Sequence, residues 1–136
     1  SWSATVKPIR LPKSNPRANT AVKVASWGYL KGRSGHTPFH LHAGKMTLLS
    51  QTDCSTRLST IGYTWNKRLG CAFNQNKTTL CTGDFGTPFI ANSRLYGMFI
   101  DIPTYTQECS SSYPYPSLVS YVAPVVPWIQ SVISNH

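Results

Sequence analysis

The sequence predicts an all-β domain that ends in a short α-helix. Short runs of β-type residues recur along the 136-residue chain, separated by clusters of Gly, Pro, Asn and Ser, a pattern typical of a β-sandwich or a β-barrel. The final segment differs, because its apolar residues recur at the spacing of a helix. With 40% hydrophobic and 12% aromatic residues, the chain has the material for a packed core, which argues against disorder.

The predicted elements follow one another without an internal repeat. Residues 1–20 hold three prolines and are typical of an extended surface strap anchored by Val6, Ile9 and Leu11. Strand candidates follow at residues 21–25, 39–41, 46–49, 89–91, 95–100 and 118–122. Near the end, Pro127 suits the first turn of a helix. The apolar stripe of that helix consists of Trp128, Ile129, Val132 and Ile133.

The positive charge of the chain is concentrated in its first part. Thirteen Lys and Arg residues face four acids, which gives a net charge of +9. Residues 1–50 contribute +8 of this and residues 51–136 contribute +1. Such a one-sided field can attract an anionic partner such as nucleic acid, a sulfated glycan or an acidic protein, although many basic extracellular proteins bind nothing specific. The candidate anion-binding residues are Lys7, Arg10, Lys13, Arg17, Lys23, Lys31 and Arg33.

The four cysteines predict disulfide bonds rather than a zinc site. They stand at positions 54, 71, 81 and 109 with no Cys-x-x-Cys spacing, and zinc sites favour short paired spacings. Disulfides indicate an oxidising compartment, and three pairings are open from the sequence alone. Asn76 begins a glycosylation sequon, which is compatible with a secreted protein. The sequence shows neither an apolar run long enough to span a bilayer nor the pattern of a signal peptide at Ser1.

One segment resembles the nucleophile loop of trypsin-like serine proteases. It reads Cys81-Thr82-Gly83-Asp84-Phe85-Gly86-Thr87-Pro88, whereas the family pattern is Cys-x-Gly-Asp-Ser-Gly-Gly-Pro. Five of the seven specified positions match. The two departures are Phe85 in place of the serine and Thr87 in place of the second glycine of the pair.

The resemblance continues along almost the whole chain. Residues 6–12 look like the strap that joins the two barrels of this family, and residues 26–28 resemble its Gly-Trp-Gly turn. Residues 116–129 are similar to the terminal segment that leads into the C-terminal helix. The resemblance implies two disulfides, Cys54–Cys71 around a helix-bearing loop and Cys81–Cys109 beside the specificity pocket.

The resemblance covers only the second half of the family's domain. It implies an all-β fold in which residues 1–20 are the inter-barrel strap and residues 21–136 form the second six-stranded barrel with a C-terminal α-helix. The first barrel of the family carries the catalytic histidine and aspartate. We expect that barrel on a separate chain of the same precursor, cleaved before Ser1 and held without a covalent bond.

The substitution at the nucleophile position predicts that the chain is not an enzyme. Serine hydrolysis needs an activated hydroxyl, and Phe85 has no nucleophilic atom. The degenerate loop, residues 83–86 (Gly83, Asp84, Phe85 and Gly86), would then have no catalytic residue. The pocket that the resemblance implies is also changed, at Thr79, Ile100, Asp101, Ile102 and Ser117. The prediction is a secreted, non-proteolytic homologue that acts by binding, as a decoy, cofactor or inhibitor in defence or proteolytic cascades.

Other functions stay open at this point. The chain could be a basic glycan-binding, anion-binding or antimicrobial protein, or a structural, storage or toxin subunit of a two-chain complex. His36, His40 and His42 could bind a metal ion, or they could be the polar edge of a loop and strand. We expect the second reading for the histidines, and we expect no metal, no cofactor, no membrane span and no nucleic-acid partner.

Overall fold

Six β-strands and two α-helices make up the part of the chain that the structure describes. The computed structural model describes residues 1–27, 41–74, 80, 84–101 and 116–135. The strands are β1 (Thr20–Ser26), β2 (His42–Leu48), β3 (Leu69–Phe73), β4 (Pro88–Ala91), β5 (Arg94–Asp101) and β6 (Ser117–Tyr121). Helix α1 (Gln51–Ser59) lies between β2 and β3, and a 3₁₀ turn (Ala123–Val125) leads into helix α2 (Val126–Ser134).

The six strands form a closed antiparallel barrel. Their order is β1-β2-β3-β6-β5-β4, and β4 pairs with β1 to close the ring. The β1–β2 pair is regular along its whole length, from Thr20 opposite Leu48 to Ser26 opposite His42. Register shifts interrupt the β4–β5 and β5–β6 pairs, and such bulges bend strands as barrel closure requires. The prediction of a six-stranded barrel followed by a C-terminal helix is confirmed.

The barrel core follows from the period-two alternation of the strands. In strands β1 and β2, inward positions carry large apolar side chains, while outward positions are exposed or half-buried. The buried residues of this core are Val22, Val24, Met46, Leu48, Ala72, Leu80, Phe89, Phe99, Val119 and Tyr121. Apolar side chains from all six strands thus fill the barrel interior, which holds the strand ends in fixed positions.

A second cluster packs helix α1 against the outside of the barrel. Ser50 caps the helix, because its hydroxyl accepts a hydrogen bond from the backbone N–H of Asp53 at 3.1 Å. A disulfide joins Cys54 in α1 to Cys71 in β3, and both residues are buried beside Leu58 and Leu118. The predicted Cys54–Cys71 bridge is therefore present.

The strap lies along the start of strand β5. Arg10 forms an isolated parallel bridge with Arg94, and the side chain of Arg94 donates a hydrogen bond to the carbonyl of Leu11 at 2.7 Å. Pro12 is buried, whereas Val6 and Ile9 are exposed. Two of the three predicted strap anchors therefore do not bury their side chains, because backbone bridging and Pro12 fix the strap instead.

Helix α2 confirms the predicted position of Pro127 in its first turn but contacts the barrel little. The helix contains no buried residue. Its apolar stripe is open to solvent, with Trp128 and Ile133 each 67% exposed. Neither described helix has the length and apolar character needed to cross a membrane.

The strands differ from the sequence prediction in two places. Strand β3 was not predicted, and β2 begins at His42 rather than at Met46. The predicted strand at residues 39–41 falls mostly outside the described residues, and Leu41 precedes β2.

Candidate functional site

The candidate site is the loop between residue 80 and strand β4, of which residues 84–87 are described. The backbone N–H of Thr87 donates a hydrogen bond to the carbonyl of Asp84 at 2.9 Å, and the Thr87 hydroxyl donates to the same oxygen. Gly86 has a φ of +84°, a conformation that glycine adopts at no steric cost. These contacts make residues 84–87 a tight turn with a buried start and a buried end.

Backbone hydrogen bonds hold the turn on strand β5. The N–H of Gly86 donates to the carbonyl of Phe99 at 2.8 Å, and the N–H of Phe99 donates to the carbonyl of Thr87 at 2.9 Å. Because Phe99 lies in the barrel core, the turn has a rigid support. The presence of threonine rather than glycine at position 87 is explained here, since its hydroxyl closes the turn.

Phe85 occupies the exposed tip of this turn. Its ring stacks on that of Phe99, with the two centroids 5.5 Å apart and the planes inclined by 2°. One face of Phe85 therefore rests on the core while 56% of the residue remains exposed. Stacked aromatic pairs contribute about 1 kcal/mol beyond their buried area, so the contact holds the ring in place at the surface.

The structure brings three of the five predicted pocket residues to the same end of the barrel. Ile100 and Asp101 form the end of β5, directly after Phe99, whose backbone holds the turn, and both are exposed. Asp101 is paired in register with Leu118, which places it next to the start of β6, where Ser117 is buried. Thr79 and Ile102 lie outside the described residues, as do Gly83, the Cys81–Cys109 pair and Asn76.

The described members of the predicted anion-binding set lie on the strap and on strand β1. Arg10 and Lys13 line a cavity of about 600 Å³ between the strap and helix α2. Lys23 points outward from strand β1 and is not among the residues that line this cavity. Lys7 and Arg17 are exposed along the strap, and Lys31 and Arg33 lie outside the described residues.

Two basic residues that were not predicted to bind anions lie beside residues that were. Arg94 lines the strap cavity together with Arg10, and Lys45 stands opposite Lys23 on the neighbouring strand. Only strand register brings these residues together, so their spacing in the sequence gave no signal. Of the three histidines, His42 begins β2 and is exposed, and His36 and His40 lie outside the described residues.

The sequence model of the family described as trypsin matches residues 1–129. The chain belongs to the trypsin family. It is 32% identical to trypsin delta of Drosophila melanogaster over 137 aligned positions, covering 99% of this chain and 50% of the relative. It is 26% identical to the snake venom serine protease BthaTL of Bothrops alternatus, covering 98% of this chain and 55% of the relative. The chain thus spans about half the length of the curated relatives it matches.

The solved structure of neuropsin, a serine protease expressed in the limbic system of mouse brain, has the same fold. The two structures superpose with a TM-score of 0.82 at 20% sequence identity. The match covers 98% of this chain and 56% of the neuropsin chain. The trypsin-like barrel of this chain is therefore seen in an experimentally solved relative of the fold.

The prediction that the chain is not an enzyme is wrong. It rested on Phe85, whereas residues 1–129 match a protease family and the chain is similar to relatives that are named trypsins and a serine protease. A hydrolase site is assembled from groups on several elements. One side chain in one loop therefore does not decide the class of the protein.

Proposed function

We propose that the chain forms the second barrel of a trypsin-family domain that acts on polypeptides. In this proposal, the turn at residues 84–87 and the end of strand β5 form one wall of the cleft that holds the polypeptide. The observation that carries the proposal is the Phe85 ring, exposed on one face and stacked on the core at Phe99. We also propose that the protein is secreted, which the buried Cys54–Cys71 disulfide supports.

A fixed aromatic ring is well suited to polypeptide recognition. It offers a large apolar contact and loses little side-chain freedom on binding, because the stack on Phe99 already orders it. Ile100 follows Phe99 on β5 and is 39% exposed, on the opposite face of the strand from Phe99. We infer that an apolar side chain of the bound polypeptide packs on Phe85.

The other half of the domain is proposed to cover helix α2. Trp128, Val132 and Ile133 expose their apolar side chains on one helix, and contiguous apolar surface of this kind is typical of an interface. A first barrel packed there completes the cleft beside the turn at residues 84–87. That this barrel is a separate chain stays a prediction, which native mass spectrometry of the purified protein tests through the masses of the released chains.

The test uses the protein with both barrels and a series of fluorescein-labelled octapeptides that differ only at a central Phe, Leu, Asp or Lys. We expect the Phe and Leu peptides to bind more tightly than the Asp peptide in fluorescence anisotropy. Phe85→Ala lowers the affinity for the Phe peptide about tenfold, the range of a well-packed aromatic contact. Trp2→Ala is the control, since it removes an exposed aromatic ring of the strap.

Binding and cleavage are recorded separately, with mass spectrometry of the peptides after incubation. Phe85→Ser adds the hydroxyl that the family carries at this position, so its cleavage rate relative to the wild type reports how residue 85 affects the chemistry. Equal affinities of wild type and Phe85→Ala for every peptide would rule out this wall of the cleft. The bound polypeptide would also distinguish the roles that a protein can have in a proteolytic cascade. A decoy leaves the partner protease unaffected, a cofactor activates it and an inhibitor blocks it.

A further inference from the structure

Two lysines face each other on the outside of the barrel. Lys23 of β1 stands directly opposite Lys45 of β2, and both residues are exposed. Residues opposite each other in an antiparallel pair project to the same face, with Cβ atoms about 5 Å apart. Like charges in this position repel each other and destabilise the strand pair.

Among the described residues, no carboxylate on the four strands β1 to β4 offsets the repulsion. Strands β1, β2, β3 and β4 contain no Asp or Glu. The acids of the described residues are Asp53 in α1, Asp84 in the turn and Asp101 at the end of β5. The lysine pair therefore has no acidic neighbour along its own strands or the two strands that flank them.

Small side chains flank the lysine pair along its own two strands. On the same face of the β1–β2 pair, Ala21 is opposite Thr47 and Ala25 is opposite Ala43. On the neighbouring strand β4, Ile90 is opposite Lys23 and is half-buried. Both lysines are nevertheless exposed, so an anion can reach their ammonium groups.

A third cation, from helix α1, lies over strand β3. The guanidinium of Arg57 in α1 lies 4.8 Å from the centroid of the Phe73 ring, and Phe73 is opposite Thr47. Thr47 shares its face of β2 with Lys45, two residues away. The face thus carries Lys23 on β1, Lys45 on β2 and the Arg57 guanidinium over Phe73 of β3.

We propose that this face binds a linear sulfated glycan, with one sulfate group bridging the ammonium groups of Lys23 and Lys45. A sulfate placed between the two lysines replaces their repulsion with two charge-assisted hydrogen bonds. The Arg57 guanidinium contacts the next sulfate along the glycan. A row of cations that runs from β1 to the surface over β3 fits an extended polymer, and the Cys54–Cys71 disulfide indicates an oxidising compartment, in which sulfated glycans rather than nucleic acids are the abundant polyanions.

The experiment measures binding of a heparin-derived hexasaccharide to the disulfide-bonded protein by titration calorimetry. The double variant Lys23→Gln/Lys45→Gln lowers the affinity at least about tenfold, because it removes both contacts to the bridging sulfate. The matched control is Lys7→Gln/Lys13→Gln, which removes the same charge from the strap. We expect the control to lower the affinity about twofold, the scale of long-range attraction screened by salt.

A charge-reversal variant separates loss of binding from loss of folding. Lys23→Glu converts the repulsive pair into an attractive one, so the variant melts at a higher temperature without the glycan and no longer binds it. Equal losses in the two double variants would overturn the site, because the glycan would then respond only to net charge. Equal affinity for a single-stranded oligonucleotide of the same charge, with the same dependence on the lysine pair, would overturn the assignment to sulfated glycans.

Discussion

Removing the Cys54–Cys71 disulfide is expected to destabilise the fold by about 3 kcal/mol. The two cysteines are 17 residues apart in the sequence, and the loss of loop-closure entropy from the unfolded chain gives about 3 kcal/mol for a loop of this size. The variant Cys54→Ala/Cys71→Ala avoids placing hydroxyl groups in the buried cluster. It also removes two sulfur atoms that pack beside Leu58, which adds to the loss.

The loss should be concentrated around helix α1. A helix of nine residues is too short to be stable alone, and α1 buries only Cys54 and Leu58. Urea unfolding followed by far-ultraviolet circular dichroism measures the change in free energy from the midpoint and the slope. Thr56→Ala/Ser59→Ala on the exposed face of the same helix is the control. A loss below about 1 kcal/mol in the cysteine variant would refute the argument, since the unfolded chain would then gain little entropy when the bond is removed.

Three further substitutions test the barrel and its core. Gly97→Ala should lower the free energy of unfolding by about 2 kcal/mol, because the added Cβ would meet the side chain of Val119 and the neighbouring backbone. A thermal melt measures the loss. An unchanged melting temperature would contradict the packing described for β5 and β6. Ser50→Ala should cost about 1 kcal/mol by removing the cap of α1, and Ser50→Asp should restore it. Burial raises the pKa of Tyr121 above its ordinary value of 10.0. The stability that neutral Tyr121 contributes is therefore fully present below pH 10 and is lost as the pH rises through the raised pKa. Tyr121→Phe should therefore flatten the alkaline decline in a pH series of urea midpoints, and a decline as steep as that of the wild type would contradict this.

Most of the barrel could be predicted from the sequence because its strands alternate. Strands β1, β5 and β6 carry apolar residues at every second position or in short β-branched runs, which is the signal that sequence reasoning detects. Strand β3 lacks it. Gly70, Cys71 and Ala72 are all buried, on one face under α1 and on the other in the barrel. Gly70 is small because the ring of Tyr121 occupies the space of its side chain, a contact that no local pattern encodes.

The candidate site was predictable in position but not in its contacts. The motif located Phe85 at the tip of the loop, yet its stacking partner Phe99 depends on how the turn is held on β5. The sequence also separated Lys23 from Lys45 by more than twenty positions, and only the β1–β2 register makes them neighbours. The interpretation of Phe85 as proof of a non-enzyme was wrong because it extended one position to the whole protein.

Hydrogen exchange in helix α2 can report whether a partner covers the apolar face of this helix. Its nine residues bury no side chain, and a helix this short gains most of its stability from packing. The amide protons of α2 should therefore exchange with solvent deuterium on a timescale set by how often its apolar face is covered. Exchange at residues 126–134, compared with that of the β1–β2 pair in the same sample, would report the fraction of associated molecules without a fluorophore or a mutation.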